Sequence, residues 1–161
     1  MLQVRALAEE ALKEVRDVVQ GYRAADLPTE LAGARSILTA SGVEARVAGE
    51  HLDLPAGVQQ ALAWVVREGV TNVVRHSRAT ECIIEVREHD GGYLLQISND
   101  GVAEAAGDGG LTTGSGLRGL TERLGVLGGT LHRFRDEAAR FVLRAWVPGH
   151  LPDPVPPASP V

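Results

Sequence analysis

The chain has 161 residues, 44% of them hydrophobic and 23% charged, which is the composition of one soluble globular domain and excludes a disordered or fibrous chain. It contains no apolar run long enough for a bilayer-spanning helix, and no secretory signal follows Met1. A net charge of −5 argues against a direct nucleic-acid partner, because such domains need a basic surface. The single cysteine, Cys82, excludes an internal disulfide and a structural zinc site, and it predicts a small buried side chain in a reducing compartment.

The first 25 residues predict a long helix with an apolar seam. Apolar residues there recur at alternating spacings of four and three, as they do in helices that pack on another helix: Val4, Ala8, Ala11, Val15, Val18 and Tyr22. We interpret residues 1–25 as a helical arm of a bundle, the alternative being a terminal helix docked on its own domain. Asp26 and Pro28 predict the start of a short second helix, which Ser41 and Gly42 end.

Helices and strands alternate through the rest of the chain, so the sequence predicts an α/β fold. The predicted elements are a strand at Val43–Ala48, a helix opened by Asp53 and Pro55 and running to about Ser77, strands at Thr80–Glu88 and Tyr93–Ser98, a mobile loop at 101–113, a helix at 114–127, and strands at Thr130–Arg135 and Arg140–Val147. The turns His89–Gly92 and Asp136–Ala139 predict two hairpins. The proline-rich residues 149–161 predict a flexible tail.

Four polar residues of the long helix share one face. Glu68, Asn72, Arg75 and His76 fall within an arc of about 100°, beside the apolar stripe that predicts the core. A carboxylate and a carboxamide oxygen suit Mg²⁺, and a guanidinium and an imidazole suit phosphate. The alternative is a solvated helix flank with a Glu68–Arg75 interaction.

A second candidate site lies where a strand ends, at Asn99, Asp100 and Gly101. Short polar side chains at a strand end can present hydrogen-bonding atoms to the edge of a flat heterocycle, while glycine lets the backbone approach closely. The same three residues are also an ordinary turn sequence.

A third candidate site is the glycine-rich start of the helix at 114–127. Gly114, Ser115, Gly116 and Leu117 would place free backbone N–H groups and the positive end of a helix dipole where a phosphate could bind. The string also matches a dinucleotide-binding fingerprint, but that fingerprint must follow a strand directly, which this one does not.

These three features, in this order and spacing, resemble the ATP-binding catalytic domain of histidine kinases. Residues 68–76 look like the N box of that family, residues 99–101 look like the D-x-G box, and residues 114–117 look like the second glycine box. The run from Gly116 to Leu124 is similar to the subfamily whose partners are response regulators with helix-turn-helix output domains. Residues 11–34 resemble the second dimerisation helix and linker of that subfamily.

The resemblance implies a two-layer sandwich of the Bergerat type, with a mixed sheet covered on one face by helices, that binds ATP or ADP with Mg²⁺. Asn72 would ligate Mg²⁺ with Glu68 beside it as second ligand or polariser, and both are the candidate catalytic residues. Arg75 and His76 would touch phosphates, as would the segment from Gly114 through Ser115 and Gly116 to Leu117. Asn99 stands at the position of the adenine-binding aspartate, with Asp100 as a substitute for that role and Gly101 beside it.

The resemblance also implies a division of the chain and a set of partners. Residues 1–25 would be the second dimerisation helix, 26–42 a linker helix, 43–148 the ATP-binding domain and 149–161 the tail. No histidine lies in the N-terminal helix, so the phosphoacceptor helix is missing and the chain is expected to be the C-terminal, cytoplasmic part of a longer kinase, membrane-anchored and homodimeric. A response regulator would receive the phosphoryl group.

Two other functions stay open at this point. One is an anti-sigma-factor serine kinase, which has a similar N box but no helical arm. The other is a degenerate binding or dimerisation module, in which Asn99 and Ala103, where the family has aspartate and glycine, have removed nucleotide binding.

Overall fold

The computed structural model describes residues 26–101 and 115–150. Those residues form three helices and five strands in the order α1 (Leu27–Ala40), β1 (Glu44–Ala48), α2 (Ala56–His76), β2 (Glu81–His89), β3 (Gly92–Asn99), α3 (Ser115–Val126), β4 (Thr130–Arg135) and β5 (Phe141–Pro148). Three ranges lie outside the described residues: 1–25, 102–114 and 151–161. They include the predicted dimerisation helix, most of the predicted loop and most of the predicted tail.

The five strands form one mixed sheet in the order β1-β2-β3-β5-β4. β1 pairs with β2 in parallel, and the other neighbours are antiparallel. The two hairpins are those that the turn sequences predict. Asp90 and Gly91 have φ values of +48° and +70°, which match the twist of a two-residue hairpin turn. The predicted α/β class and mixed sheet are therefore confirmed.

Helix α1 begins and ends on the residues that the sequence predicts. The Asp26 carboxylate accepts from the Thr29 backbone N–H at 3.2 Å and caps the first turn. Gly42 has φ of +78°, a conformation that glycine adopts without strain and that ends the helix. The buried face of α1 consists of Leu27, Leu31, Ala34 and Leu38. These residues belong to the same hydrophobic core as α2, so the helix predicted as a linker packs as part of the domain.

Helix α2 lies over the sheet and carries the first candidate site. Its apolar stripe is buried, and Gly69 is buried with it. Gly69 lies so close to β3 that a Cβ at this position would overlap with Ile97. The helix begins after Pro55 without a side-chain cap, so Asp53 does not open it as the sequence predicts. Ser77 ends the helix, with its hydroxyl donating to the Val73 carbonyl at 2.6 Å.

A chain of charged and aromatic side chains joins the three helices on their outer side. The Arg67 guanidinium on α2 forms an ion pair with Glu30 on α1. The Trp64 ring is flanked by Arg67 and by Arg123 of α3, whose guanidinium carbons lie 4.9 and 4.7 Å from the ring centre. Contacts of this kind orient neighbouring helices relative to each other.

Cys82 lies on β2 within the core and is fully buried, as its sequence setting predicts. Burial raises the pKa of its thiol to about 12, so the thiol stays protonated and unreactive in the folded chain. No helix in the described part of the chain is long and apolar enough to cross a bilayer.

Candidate functional site

The polar face of α2 lies beside the start of α3. Glu68 and Asn72, one helical turn apart, are half-buried, whereas Arg75 and His76 are exposed at the end of the helix. A Cβ on Gly116 would overlap with the Glu68 carboxylate, so the backbone of the second residue of α3 lies against that carboxylate. The first candidate site and the described part of the third thus meet in space. Gly114 lies outside the described residues, and Ser115 is the first residue of α3.

The side chains of Glu68 and Asn72 make no hydrogen bond or ion pair with any residue of the described ranges. A half-buried carboxylate and amide normally find partners, because desolvated polar groups without hydrogen bonds cost free energy. Two oxygen donors on adjacent turns, free and side by side, are a suitable pair for a hard cation that also binds a phosphate oxygen. No cluster of three or more acidic, histidine or cysteine side chains that could hold a metal alone occurs in 26–101 and 115–150.

Asn99 lies at the end of β3 and is almost fully buried, at 2% exposure. Its Nδ2 donates to the Asp100 carbonyl at 2.7 Å, which fixes the amide orientation and leaves Oδ1 as the acceptor. No donor from the described residues reaches that oxygen. Phe141, on β5, is the residue paired with Asn99 across the sheet. Oδ1 is therefore an acceptor that no described residue uses, on a buried residue that pairs with an aromatic one across the sheet.

Asp100, the predicted substitute for the base-binding role, has a structural role in addition. Its carboxylate accepts from the backbone N–H groups of Thr80 at 2.8 Å and Glu81 at 2.9 Å, and from the Thr80 hydroxyl. The hydroxyl bond above all, with the backbone bonds, lowers the pKa of Asp100 below its ordinary 3.8. This carboxylate therefore fixes the beginning of β2.

Gly101 is also explained by local structure. It has φ of +73°, and a Cβ there would overlap with the backbone of Arg78 and Ala79. The Arg78 N–H donates to the Gly101 carbonyl at 3.0 Å. The close backbone approach that glycine permits is thus with the segment between α2 and β2, whereas the sequence-based expectation was an approach to a ligand.

Sequence reasoning did not identify the ion pairs at the same end of the sheet. Arg140 donates to Glu81 at 2.7 Å, and Arg46 lies 3.1 Å from the other oxygen of that carboxylate. The bond to Glu81 raises the pKa of Arg140, so the guanidinium stays charged. No local signal indicates this contact, because the hairpin turns fix only the β2–β3 and β4–β5 pairings, and β3 lies between β2 and β5 in the sheet.

This mixed sheet, with a polar helix face beside a glycine-rich helix start, has the fold of histidine kinase catalytic domains. The histidine kinase domain of the Erythrobacter litoralis EL346 blue-light activated histidine kinase has the same fold, with a TM-score of 0.61 at 18% identity over 77% of this chain and 65% of that one. No protein-family model matches the chain.

Curated relatives identify the family. The sensor histidine kinase DesK of Bacillus subtilis (strain 168) is 30% identical over 144 residues, which are 87% of this chain and 38% of DesK. The sensor histidine kinase YvfT of the same organism is 30% identical over 123 residues, which are 75% of this chain and 32% of YvfT. The chain is thus related to the sensor histidine kinases, and it spans about a third of the length of these two relatives, 38% of DesK and 32% of YvfT.

Proposed function

We propose that the chain binds Mg-ATP and is the catalytic part of a sensor kinase that transfers the γ-phosphoryl group to a histidine. The observation that carries this proposal is the juxtaposition of Glu68 and Gly116, which brings the polar face of α2 against the glycine-rich start of α3. Sites for phosphate and for a divalent cation would then be adjacent, as nucleotide triphosphates require. Kinship with sensor histidine kinases supports the same activity.

The residues present fit a magnesium ion shared with phosphates. Glu68 and Asn72 offer two side-chain oxygens without protein partners in the described ranges, and Mg²⁺ commonly binds through one or two such oxygens plus phosphates and water. When bound, the ion would neutralise phosphate charge and polarise the terminal phosphorus. Asn72 is the proposed ligand, with Glu68 as the second ligand or as a polarising group.

The adenine ring is proposed to bind at Asn99. Its free Oδ1 can accept a hydrogen bond from the adenine amino group, which is the bond that the aspartate of the family would accept. A neutral acceptor makes this bond weaker than a carboxylate would, because hydrogen bonds to ionised groups are stronger. The same hydrogen bond predicts selectivity for adenine over guanine, because guanine carries a carbonyl oxygen where adenine carries the amino group.

Phosphate binding depends on local positive groups, because the chain as a whole is negative. Arg75 and His76 are exposed at the end of α2, and their side chains make no hydrogen bond with the described residues. We propose that they, with the backbone N–H groups from Gly114 to Leu117, hold phosphate oxygens. Phosphoryl transfer needs mainly positioning and charge stabilisation, so this domain needs no covalent nucleophile.

The acceptor and the later partners are proposed from kinship. The acceptor would be a histidine on a dimerisation helix that these residues do not include. From there the phosphoryl group would pass to a response regulator with a helix-turn-helix output domain, within a homodimeric, membrane-anchored kinase whose catalytic part is cytoplasmic. A histidine-bearing helix supplied as a separate peptide would test the transfer, because phosphorylated peptide should appear only with Mg-ATP.

The first experiment is a calorimetric titration of the chain with ADP and a non-hydrolysable ATP analogue, each with and without Mg²⁺. GDP is titrated in the same way for comparison. We expect saturable binding of the adenine nucleotides, tighter with Mg²⁺, and no binding of GDP. Asn72→Ala should lose the Mg²⁺-dependent gain and keep the helical circular dichroism signal. Gln60→Ala, an amide truncation at an exposed position of the same helix, is the control and should bind like wild type.

Two results would contradict the proposal. Absence of binding at millimolar nucleotide would favour the degenerate module. An equal gain in affinity from Mg²⁺ in wild type and in Asn72→Ala would show that Asn72 does not ligate the cation.

A further inference from the structure

A cavity lies between α3 and the strands β4 and β5. Its volume is about 360 Å³, within the range of small-molecule pockets. Its lining is mainly apolar and consists of Leu117, Arg118, Thr121, Glu122, Leu131, His132, Arg133 and Leu143.

This cavity is separate from the proposed nucleotide site. Glu68, Asn72 and Asn99 do not line it, and Leu117 is the one lining residue that also belongs to the glycine-rich segment. β4 pairs only with β5 among the described strands, so the cavity opens at an edge of the sheet.

The cavity contains one uncompensated cation. Arg133 lines it, and its guanidinium, of which Nη1 is buried, has no hydrogen-bond or ion-pair partner among the described residues. The other arginine, Arg118, donates to Glu122 at 3.1 Å, so those two lining charges offset each other. A buried guanidinium nitrogen without an acceptor is costly, because desolvation of a charged donor is not compensated. An anionic ligand group in the cavity would give this guanidinium an acceptor through its nitrogens that are not buried.

We propose that this cavity binds a small amphipathic carboxylate, with an apolar body against Leu117, Leu131 and Leu143 and its carboxylate on Arg133. A planar carboxylate matches the fork of a guanidinium. A phosphate dianion is less suitable, because its second charge would enter a mainly apolar lining without a second free cation. Binding there requires neither nucleotide nor Mg²⁺, so the proposal stands or fails independently of the kinase activity.

The test uses octanoate as the probe, with 1-octanol as its uncharged equivalent and octyl phosphate as the dianion. Binding is followed by backbone amide chemical shifts of the intact chain without nucleotide. We expect saturable octanoate binding with shifts concentrated at α3 and β4, and binding of both octanol and octyl phosphate at least tenfold weaker. Arg133→Gln should weaken octanoate binding at least tenfold and leave octanol unchanged.

Two further variants complete the design. Arg87→Gln removes an exposed charge from β2, away from the cavity, and should bind octanoate like wild type. Leu131→Phe adds volume to the lining and should weaken the binding of octanoate and of octanol to a similar degree. Equal octanoate affinity in wild type and Arg133→Gln, shifts that map away from the cavity, or no binding at millimolar octanoate would each overturn the proposal. Tighter binding of octyl phosphate would assign the site to phosphorylated ligands instead.

Discussion

The carboxylate of Asp100 provides the sharpest test of the structure. The sequence pattern predicts that it can bind the base, whereas the structure shows it bound to Thr80 and Glu81. Asp100→Ala removes an acceptor that receives bonds from Thr80 N–H, Thr80 hydroxyl and Glu81 N–H. Each such bond contributes about 0.5–1.5 kcal/mol, and partial exposure favours the lower end. We therefore expect a loss of about 2 kcal/mol in the free energy of unfolding, or roughly 6 °C in midpoint temperature for a chain of this size.

The assay is thermal unfolding followed by circular dichroism over a range of pH. Because folding lowers the pKa of Asp100, its stabilisation is fully present above the unfolded value of 3.8 and is lost as the pH falls through the folded value. The difference in unfolding temperature between wild type and Asp100→Ala should thus be constant near neutral pH and become smaller in acid. Asp53→Ala, at an exposed aspartate, is the control and should show no comparable difference.

Nucleotide affinity separates the two roles of Asp100. We expect Asp100→Ala to bind ADP with nearly wild-type affinity, since Asn99 provides the proposed base contact. A variant that unfolds at the wild-type temperature but no longer binds ADP would refute the structural role and make Asp100 a base ligand.

Three other substitutions or modifications test separate parts of the structure. Asn99→Asp should tighten ADP binding or leave it unchanged, while lowering the unfolding temperature because a carboxylate cannot donate to the Asp100 carbonyl; strong weakening in titrations would mean that the base binds elsewhere. Gly69→Ala should cost about 1–3 kcal/mol in denaturant unfolding, and Ile97→Val should recover part of that loss by removing the overlapping Cδ1 atom; additive losses would contradict the packing. The Cys82 thiol should react with iodoacetamide only after unfolding, and rapid alkylation of the native chain, detected by mass spectrometry, would contradict its burial and raised pKa.

Local chemistry made much of the fold predictable. The Asp26 cap, the turn at Asp90 and Gly91, and the period of the α2 stripe each depend on residues within a few positions of one another. All the described elements were predicted with boundaries within one or two residues. What the sequence did not indicate was that α1 shares the core of the domain, because that depends on which helix packs beside it.

The structural contacts of Asp100 and Gly101 were not predicted for the same reason. Both residues act on the segment between α2 and β2, some 20 positions earlier in the chain, and the sequence pattern around them is that of an ordinary turn. The unpaired nitrogen of Arg133 likewise depends on how α3 lies over the sheet. Nucleotide-site residues were proposed from motif spacing and resemblance, and their roles stay predictions.

The single parallel pairing in the described sheet has a consequence for how the chain folds. β2–β3 and β4–β5 are closed by short turns, whereas the first residue of β1, Glu44, must find Glu81 across the whole of α2. Pairings between distant residues form slowly, because the entropy of closing the intervening loop is lost first. During synthesis, β1 leaves the ribosome before its partner strand exists. The hydrogen-bonding edge of β1 should therefore stay unpaired until β2 has emerged, which makes this early stage the one at which the nascent chain is most exposed to aggregation and most in need of a chaperone.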